Sequence, residues 1–176
     1  MGKACTEIEF FITRRSVMRQ QSYIAGNWVS SDDGSSIEVK NPATGRTIGT
    51  VAKLSGNDSK AAVDAAGKAF PGWSSLLPQD RARLLRRWFE LIRANREDLA
   101  RIMVLEQGKP LSEALGEIDY GASFVEFYAE ETRRPNIESI TSHLPDAEME
   151  LWREPVGVAA LITPWNFPSA MLTRKA

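Results

Sequence analysis

The sequence has one cysteine, one histidine and no apolar run long enough to span a membrane. A single cysteine, Cys5, excludes an internal disulfide and a cysteine-based zinc site, and it is typical of a reducing compartment, so we expect a cytoplasmic protein. The only histidine, His143, has no cysteine, histidine or carboxylate cluster beside it, and we expect no metal site. The most apolar run, residues 156–162, has the length of one strand, so we expect no membrane segment.

The sequence also has no excess of one charge sign, because it contains 22 basic and 23 acidic side chains and its net charge is -1. Such a chain has no overall field that would attract nucleic acid or an anionic membrane surface. The arginines between residues 83 and 93 are offset locally by Asp80, Glu90, Glu97 and Asp98, which is typical of a solvated helix face. We therefore expect a small-molecule partner and no nucleic acid.

Residues 1–19 lack the periodicity of a strand or a helix, and we expect them to form a disordered N-terminal extension. The first six letters, MGKACT, match the loose pattern for N-myristoylation, and Cys5 offers a second acylation position. Such hexapeptides are common by chance, and stable membrane attachment needs two signals. The acidic Glu7 and Glu9 argue against a transit peptide. The folded part is predicted to begin near residue 20.

The folded part begins with strands and continues with helices. Short apolar alternations between residues 23 and 51, broken by turn residues, predict antiparallel strands. An alanine-rich run after Asn57 predicts a first helix that ends near Phe70, ahead of a Pro-Gly pair. Three more helical patterns follow, and the last begins after Pro110. Its apolar residues recur at steps of four and three, which predicts a buried stripe formed by Leu111, Leu115, Ile118, Ala122, Val125 and Ala129.

The C-terminal part returns to strand patterns. Residues 135–146 are predicted to be a polar connection, and residues 147–154 alternate like a half-exposed strand. Residues 156–162 are almost entirely apolar, which predicts a strand buried on both faces of a parallel sheet. Because ligands of such sheets bind at the carboxyl ends of the strands, residues 163–168 are where we expect the chemistry.

Several motifs point to one family. The string PWNFP occupies residues 164–168, and YIAGNW, NPATG and LEQGKP precede it in this order. These motifs and their spacing resemble the aldehyde dehydrogenase superfamily over most of the chain. The strings RQQSYIAGNW, GEIDYGASFVEFYAEE and TRKA are most similar to the succinate-semialdehyde dehydrogenase branch.

The resemblance implies an α/β fold and a domain organisation. Antiparallel strands and a helical layer would lead into the first strand of a Rossmann-like parallel sheet, with residues 20–176 as a truncated, N-terminal portion of the aldehyde dehydrogenase domain. A strand near residues 147–154 would serve oligomerisation, and the full-length parent would be a homo-oligomer.

The resemblance also implies roles for residues on the substrate side. Asn166 would donate its side-chain N–H to the substrate oxygen as a cysteine adds to the aldehyde, so that it stabilises developing negative charge. Arg174 would bind the distal carboxylate of the substrate bidentately, and Phe167 would border the substrate. Taken alone, Asn166 is instead typical of an Asx turn, and Arg174 of a cation near the end of the chain.

The cofactor implied by the resemblance is NAD or NADP. Thr163, Pro164, Trp165 and Asn166 would lie beside it, and Lys175 would lie near the cofactor and the catalytic centre. Without the resemblance, the first three are strand-to-helix turn residues and Lys175 is a surface lysine.

The expected activity is therefore NAD(P)-dependent oxidation of succinate semialdehyde, or a related short aldehyde, in the full-length parent. The sequence matches neither the family's catalytic cysteine nor its glutamate base, and Cys5 lies far from any pocket motif. We expect this chain alone to be inactive. Two alternatives stay open: a noncatalytic fragment that associates with full-length homologues, and a different aldehyde dehydrogenase branch.

Overall fold

A computed structural model of the chain describes residues 19–134 and 136–176. The residues proposed for lipidation, including Cys5, lie outside this part, as does nearly all of the N-terminal extension. The elements of the described part, in chain order, are β1 (Ser22–Ile24), β2 (Asn27–Val29), β3 (Ser36–Lys40), β4 (Thr47–Ala52), α1 (Gly56–Ser74), α2 (Pro78–Ala94), α3 (Arg96–Gln107), α4 (Leu111–Glu131), β5 (Ile137–Ile140), β6 (Met149–Trp152) and α5 (Pro168–Thr173).

The strands of the described part pair as three two-stranded antiparallel sheets, β1–β2, β3–β4 and β5–β6. The first two confirm the strands predicted between residues 23 and 51. Between β1 and β2 the turn residues Ala25 and Gly26 both have positive φ, at 51° and 84°. Two positive φ values are the signature of the type I′ turn, whose twist suits a tight hairpin.

The third hairpin corrects the sequence prediction, because β5 lies inside the stretch expected to be a polar connection. Its register places Ile137 opposite Trp152 and Ile140 opposite Met149, so apolar side chains face each other at both ends of the strand pair. The strand residues themselves do not alternate with a period of two, which explains why the pattern was missed. The strand predicted near residues 147–154 is confirmed as β6.

The first helix also departs from the prediction, since α1 continues through Pro71 to Ser74. Its N-cap is Ser55, in a capping box with Asp58. Proline removes one intrahelical hydrogen bond, but its fixed φ is compatible with a helix. The last turn gains other bonds, because the hydroxyls of Ser74 and Ser75 donate to the carbonyls of Pro71 and Gly72.

Helix α4 is the centre of the packed layer and contacts α2, α3 and α5. The four C-terminal residues of the predicted stripe are buried as expected, whereas Leu111 at the start of the helix is 41% exposed. Arginines of the preceding helices reach α4: Arg86 pairs with Glu126 at 2.7 Å and with Glu130, and Arg96 pairs with Asp119. The hydrogen bonds from Arg96 hold the pKa of Asp119 below its usual value.

Residues 156–162 are not in a strand, which contradicts the expected burial of this segment. Val156 is 99% and Ile162 is 88% exposed. A parallel strand needs a neighbour running in the same direction, and the described residues offer only the three antiparallel pairs above. No helix of the described part combines the length and apolarity needed to cross a lipid bilayer.

Two glycines of α4 differ in the room they leave for a side chain. A Cβ at Gly116 would meet nothing within 4 Å, whereas one at Gly121 would lie 3.1 Å from the hydroxyl of Thr173 and 3.3 Å from the Cα of Ala170. Gly116→Ala should therefore stabilise the chain by about 0.5–1 kcal/mol through helix propensity. Gly121→Ala should gain less, and Gly121→Val should lose about 1–3 kcal/mol by overpacking.

Urea unfolding of the three variants measures this difference. Equal stabilisation by alanine at both glycines would contradict the close approach of α5 to α4.

Candidate active-site loop

Residues 163–167 form the loop that leads into α5, and side chains of the α3–α4 junction hold its main chain. Gln107 donates through Nε2 to the carbonyls of Trp165 and Asn166, at 3.2 Å and 3.3 Å. Lys109 donates through Nζ to the carbonyl of Asn166 at 2.7 Å. The LEQGKP segment is thus in direct contact with the PWNFP segment, although nearly 60 residues separate them.

The side-chain amide of Asn166 makes no hydrogen bond to any residue of the described part, and the residue is exposed. The Asx turn that its neighbours suggested is therefore not formed there. With its carbonyl held by two donors, Asn166 combines a fixed main chain with a free N–H donor. This is the arrangement expected of a group that hydrogen-bonds a ligand.

Glu117 of α4 is a buried residue of this site that the sequence analysis missed. Its side chain is 0% exposed, and its Oε2 lies 2.5 Å from Nζ of Lys109. Its Oε1 accepts hydrogen bonds from the main-chain N–H groups of Ser169 and Ala170, at 2.9 Å and 3.2 Å. Because the N-cap residue of α5, Phe167, contributes no side-chain hydrogen bond, Glu117 caps that helix from outside it.

A signal for Glu117 is present in the sequence. It lies three residues after Ala114 and one before Ile118, on the face of α4 that is otherwise apolar or small. A carboxylate at a buried helical position requires a partner, and Lys109 lies eight residues earlier. The spacing does not reveal that the same carboxylate also binds amides more than 50 residues away.

Phe167 and Arg174, the residues expected on the substrate side, each lie in a cation–π contact. Nζ of Lys109 is 4.1 Å from the ring centroid of Phe167, and Cζ of Arg174 is 5.6 Å from that of Phe124. Arg174 is exposed and forms no ion pair with a residue of the described part. Its guanidinium is free to bind an anion.

Asn166 and Arg174 do not lie on one helix, because α5 begins only at Pro168. Helix α4 relates them instead: the Asn166 loop is tied to Glu117, and Arg174 lies on Phe124, seven residues further along. Residues seven apart share a helix face and are separated by about 10 Å along the axis.

The residues expected beside the cofactor lie at or next to this loop. Pro164 and Trp165 are exposed, the latter to 81%, while Thr163 is partly buried. Lys175 is exposed and has no ion-pair partner in the described part. Among the described residues no cluster of histidine, cysteine and acidic side chains could hold a metal ion.

An open groove of about 800 Å³ lies elsewhere, between α2 and α4, and shares no residue with the loop. Arginines line it, but Arg83 pairs with Asp80, Arg86 with two glutamates of α4, and Arg87 with Glu90. Three of the four arginines that line the groove are therefore neutralised, and Arg133 is the one without an ion pair to a described residue.

Comparison with known proteins supports the family that the motifs of this loop indicate. The sequence profile described as "Aldehyde dehydrogenase family" matches residues 28–176. The chain belongs to the aldehyde dehydrogenase family. Among curated relatives of this family, the glutarate-semialdehyde dehydrogenase of Pseudomonas putida is 52% identical over 160 residues, which are 91% of this chain and 33% of that protein. The NADP(+) succinate-semialdehyde dehydrogenase of Escherichia coli is 48% identical over 161 residues, 92% of this chain and 33% of that protein.

Solved structures of the family confirm the fold. An NADP-dependent enzyme of Escherichia coli superposes with a TM-score of 0.86 at 48% identity, over 91% of this chain and 33% of that one. Betaine aldehyde dehydrogenase of Staphylococcus aureus, solved in complex with NAD+, gives a TM-score of 0.88 at 31% identity, over 96% of this chain and 34% of that one. The chain thus has the fold of the corresponding part of an aldehyde dehydrogenase and spans about a third of the length of these relatives.

Proposed function

We propose that the full-length protein containing this segment oxidises a short semialdehyde with a distal carboxylate to the dicarboxylate, with NAD or NADP as hydride acceptor. The observation that carries the proposal is the free side-chain amide of Asn166 on a main chain held by Gln107 and Lys109. Two of the relatives named above, at 52% and 48% identity, are a glutarate-semialdehyde and a succinate-semialdehyde dehydrogenase, which supports the same substrate class here.

The role of Asn166 follows from the chemistry of its side-chain amide and from the hydrogen bonds that hold its main chain. When a nucleophile adds to an aldehyde, negative charge develops on the carbonyl oxygen, and an amide N–H stabilises it without exchanging a proton. A donor that is fixed beforehand stabilises this charge without the cost of reorganising at the moment of reaction. The hydrogen bonds to the Asn166 carbonyl supply that fixation.

Arg174 is the group that fits the distal carboxylate. A guanidinium offers two parallel N–H donors to a carboxylate, and its planar face stacks well on an aromatic ring. Phe124 provides such a ring, and no acidic residue of the described part competes for the charge. We infer that Arg174 selects carboxylated aldehydes over neutral ones.

The residues of the loop also fit a dinucleotide. Trp165 offers an exposed aromatic side chain, and Lys175 offers a cation without a partner in the described part, which suits an anionic ligand. Thr163, Pro164 and Asn166 would complete the contact. NAD or NADP, when bound, takes up the hydride that leaves the substrate.

Two further properties of the full-length protein belong to the proposal. The β5–β6 hairpin has no third strand in the described part and exposes Leu151 and Trp152, which supports self-association through β6. The scarcity of cysteine supports a cytoplasmic location.

Exchange of Arg174 for alanine tests the substrate class. The assay uses a grafted enzyme, in which residues 19–176 replace the matching segment of the Escherichia coli relative. We expect Arg174→Ala to raise the KM for succinate semialdehyde about tenfold or more and to leave the KM for butanal within about twofold, because only the first substrate has a carboxylate. Steady-state kinetics with both aldehydes measures the difference.

Arg83→Ala is the matched control, since Arg83 is an exposed arginine whose partner is Asp80. It should change neither KM. Equal increases of both KM values in Arg174→Ala would contradict the carboxylate role, and an inactive grafted enzyme would contradict the proposed function itself.

A further inference from the structure

The proposed reaction depends on the position of Asn166, and the shorter of the two hydrogen bonds to its carbonyl comes from Lys109, which belongs to a buried ion pair outside the loop. We propose that the Lys109–Glu117 pair is a positioning device that sets Asn166 for the reaction. This inference rests on the proposed function and adds two positioning residues to it.

Burial makes this pair unlike the surface ion pairs of the molecule. The side chains of Lys109 and Glu117 are 9% and 0% exposed, whereas every other ion pair of the described part has both side chains at 30% or more. Removing charges from water is costly unless further hydrogen bonds satisfy them. Lys109 and Glu117 meet this condition through groups of the loop and of α5, so their burial and the loop conformation depend on each other.

The pair holds the chain on both sides of the reactive residue. Lys109 binds the carbonyl of Asn166, while the carboxylate that neutralises Lys109 binds the amides of Ser169 and Ala170. The main chain is thus fixed at residue 166 and again three residues later. The side-chain amide of Asn166 makes no hydrogen bond to the described residues. The pair therefore fixes the main chain of Asn166 and leaves its side-chain N–H donor free.

The local backbone explains how Lys109 reaches the loop. Helix α3 ends at Gly108, whose φ of 78° lies in the left-handed region that favours glycine. The helix thus ends directly before Lys109. A Cβ at Gly108 would also lie 2.9 Å from Cγ of Pro42, in the NPATG turn, so the position has no room for a side chain.

A purely structural role for the pair is the competing explanation, in which it only joins the α3–α4 junction to α4. The Arg96–Asp119 pair provides the comparison, since it joins α3 to the same helix through hydrogen bonds of 2.8 Å and 2.7 Å but contacts no loop residue. Loss of either pair would then lower stability. Only loss of the Lys109–Glu117 pair should release the loop.

Hydrogen exchange of the 176-residue chain, resolved at single amides, tests this difference. We expect Lys109→Met and Glu117→Gln to speed exchange at Ser169 and Ala170 by about tenfold or more relative to Ala122 and Val125, which report opening of α4 itself. Asp119→Asn should leave that ratio unchanged. If exchange at the two groups of amides rises equally in the first two variants, the pair is only structural and the proposal is overturned.

A double variant removes the complication that a single buried charge destabilises the fold. Lys109→Met with Glu117→Met replaces both charges by apolar groups, which often restores stability. We expect the fold to recover and the exchange at Ser169 and Ala170 to stay fast. Lys109→Arg keeps the cation and should restore much of the protection lost in Lys109→Met. Recovery of full protection in the uncharged double variant would overturn the proposal.

Kinetics of the grafted enzyme connects the pair to the reaction. Lys109→Met should lower kcat for succinate semialdehyde and for butanal by a similar factor, about tenfold or more, without changing the ratio of their KM values. An unchanged kcat despite a released loop would overturn the positioning role. If the unmodified grafted enzyme oxidises no aldehyde, the proposed function fails, while the exchange experiment still decides whether the pair holds the loop.

Discussion

Replacing Asn166 by alanine in the grafted enzyme should lower kcat for succinate semialdehyde by about 100-fold to 1,000-fold, the usual loss when one donor to a developing oxyanion is removed. The KM should change by less than about threefold, because the amide acts more strongly on the charged transition state than on the neutral aldehyde. The structure supports this division, since the Asn166 side chain makes no hydrogen bond to the described residues and therefore has no structural bond to lose.

The measurement is steady-state reduction of the nicotinamide cofactor over a range of substrate concentrations, which gives both kcat and KM. Asn166→Asp is the sharper variant: it has nearly the same shape, but an ionised carboxylate accepts hydrogen bonds and repels the developing charge. It should be no more active than Asn166→Ala. Asn57→Ala is the matched control, because Asn57 is exposed on α1 and its side chain makes no hydrogen bond to a described residue. A raised KM with unchanged kcat would show that Asn166 binds the substrate and does not stabilise the transition state.

The parts of the fold that were predictable have local causes. The stripe of α4 is visible because 3.6-residue periodicity and burial agree from Ile118 onward. The β1–β2 hairpin is visible because Gly26 supplies a positive φ between two short apolar runs. In both cases the residues that form the element also contain the signal for it.

The parts that were not predictable have distant or missing partners. Residues 156–162 contain the apolar signal of a buried strand, yet burial depends on neighbouring strands, and the described residues supply none. β5 forms because apolar residues of β6 lie opposite its ends, which its own sequence does not show.

The candidate site also has a part that could be predicted from the sequence and a part that could not. Asn166 and Arg174 were found through resemblance to a family, because an asparagine or an arginine alone has no distinctive pattern. The structure adds the free amide of the first and the aromatic support of the second. Glu117 was missed because its function lies in contacts with amides more than 50 residues away. A single charged residue inside an apolar helix stripe is the sequence feature that would have led to it.

Ile118→Ala should destabilise the 176-residue chain by about 2–5 kcal/mol, the usual range for truncating a large buried side chain to alanine. Ile118 is 1% exposed and belongs to the cluster of Ala100, Met103 and Ala114 that joins α3 to α4. Two of these neighbours are already alanines, which have no flexible side chain that could move into the cavity. Ile118→Val removes one methylene group and should cost about 0.5–1.5 kcal/mol.

Urea unfolding gives both values, and Leu111→Ala on the same helix is the control, with an expected loss below about 1 kcal/mol because Leu111 is half exposed. Ile118 is adjacent to Glu117 in sequence, so the same variants separate packing from positioning. Ile118→Val should weaken the core while leaving exchange at Ser169 and Ala170 unchanged relative to Val125, because the Glu117 carboxylate keeps its hydrogen-bond partners. A selective release of those two amides by Ile118→Val would show that core packing, and not the ion pair with Lys109, holds the loop.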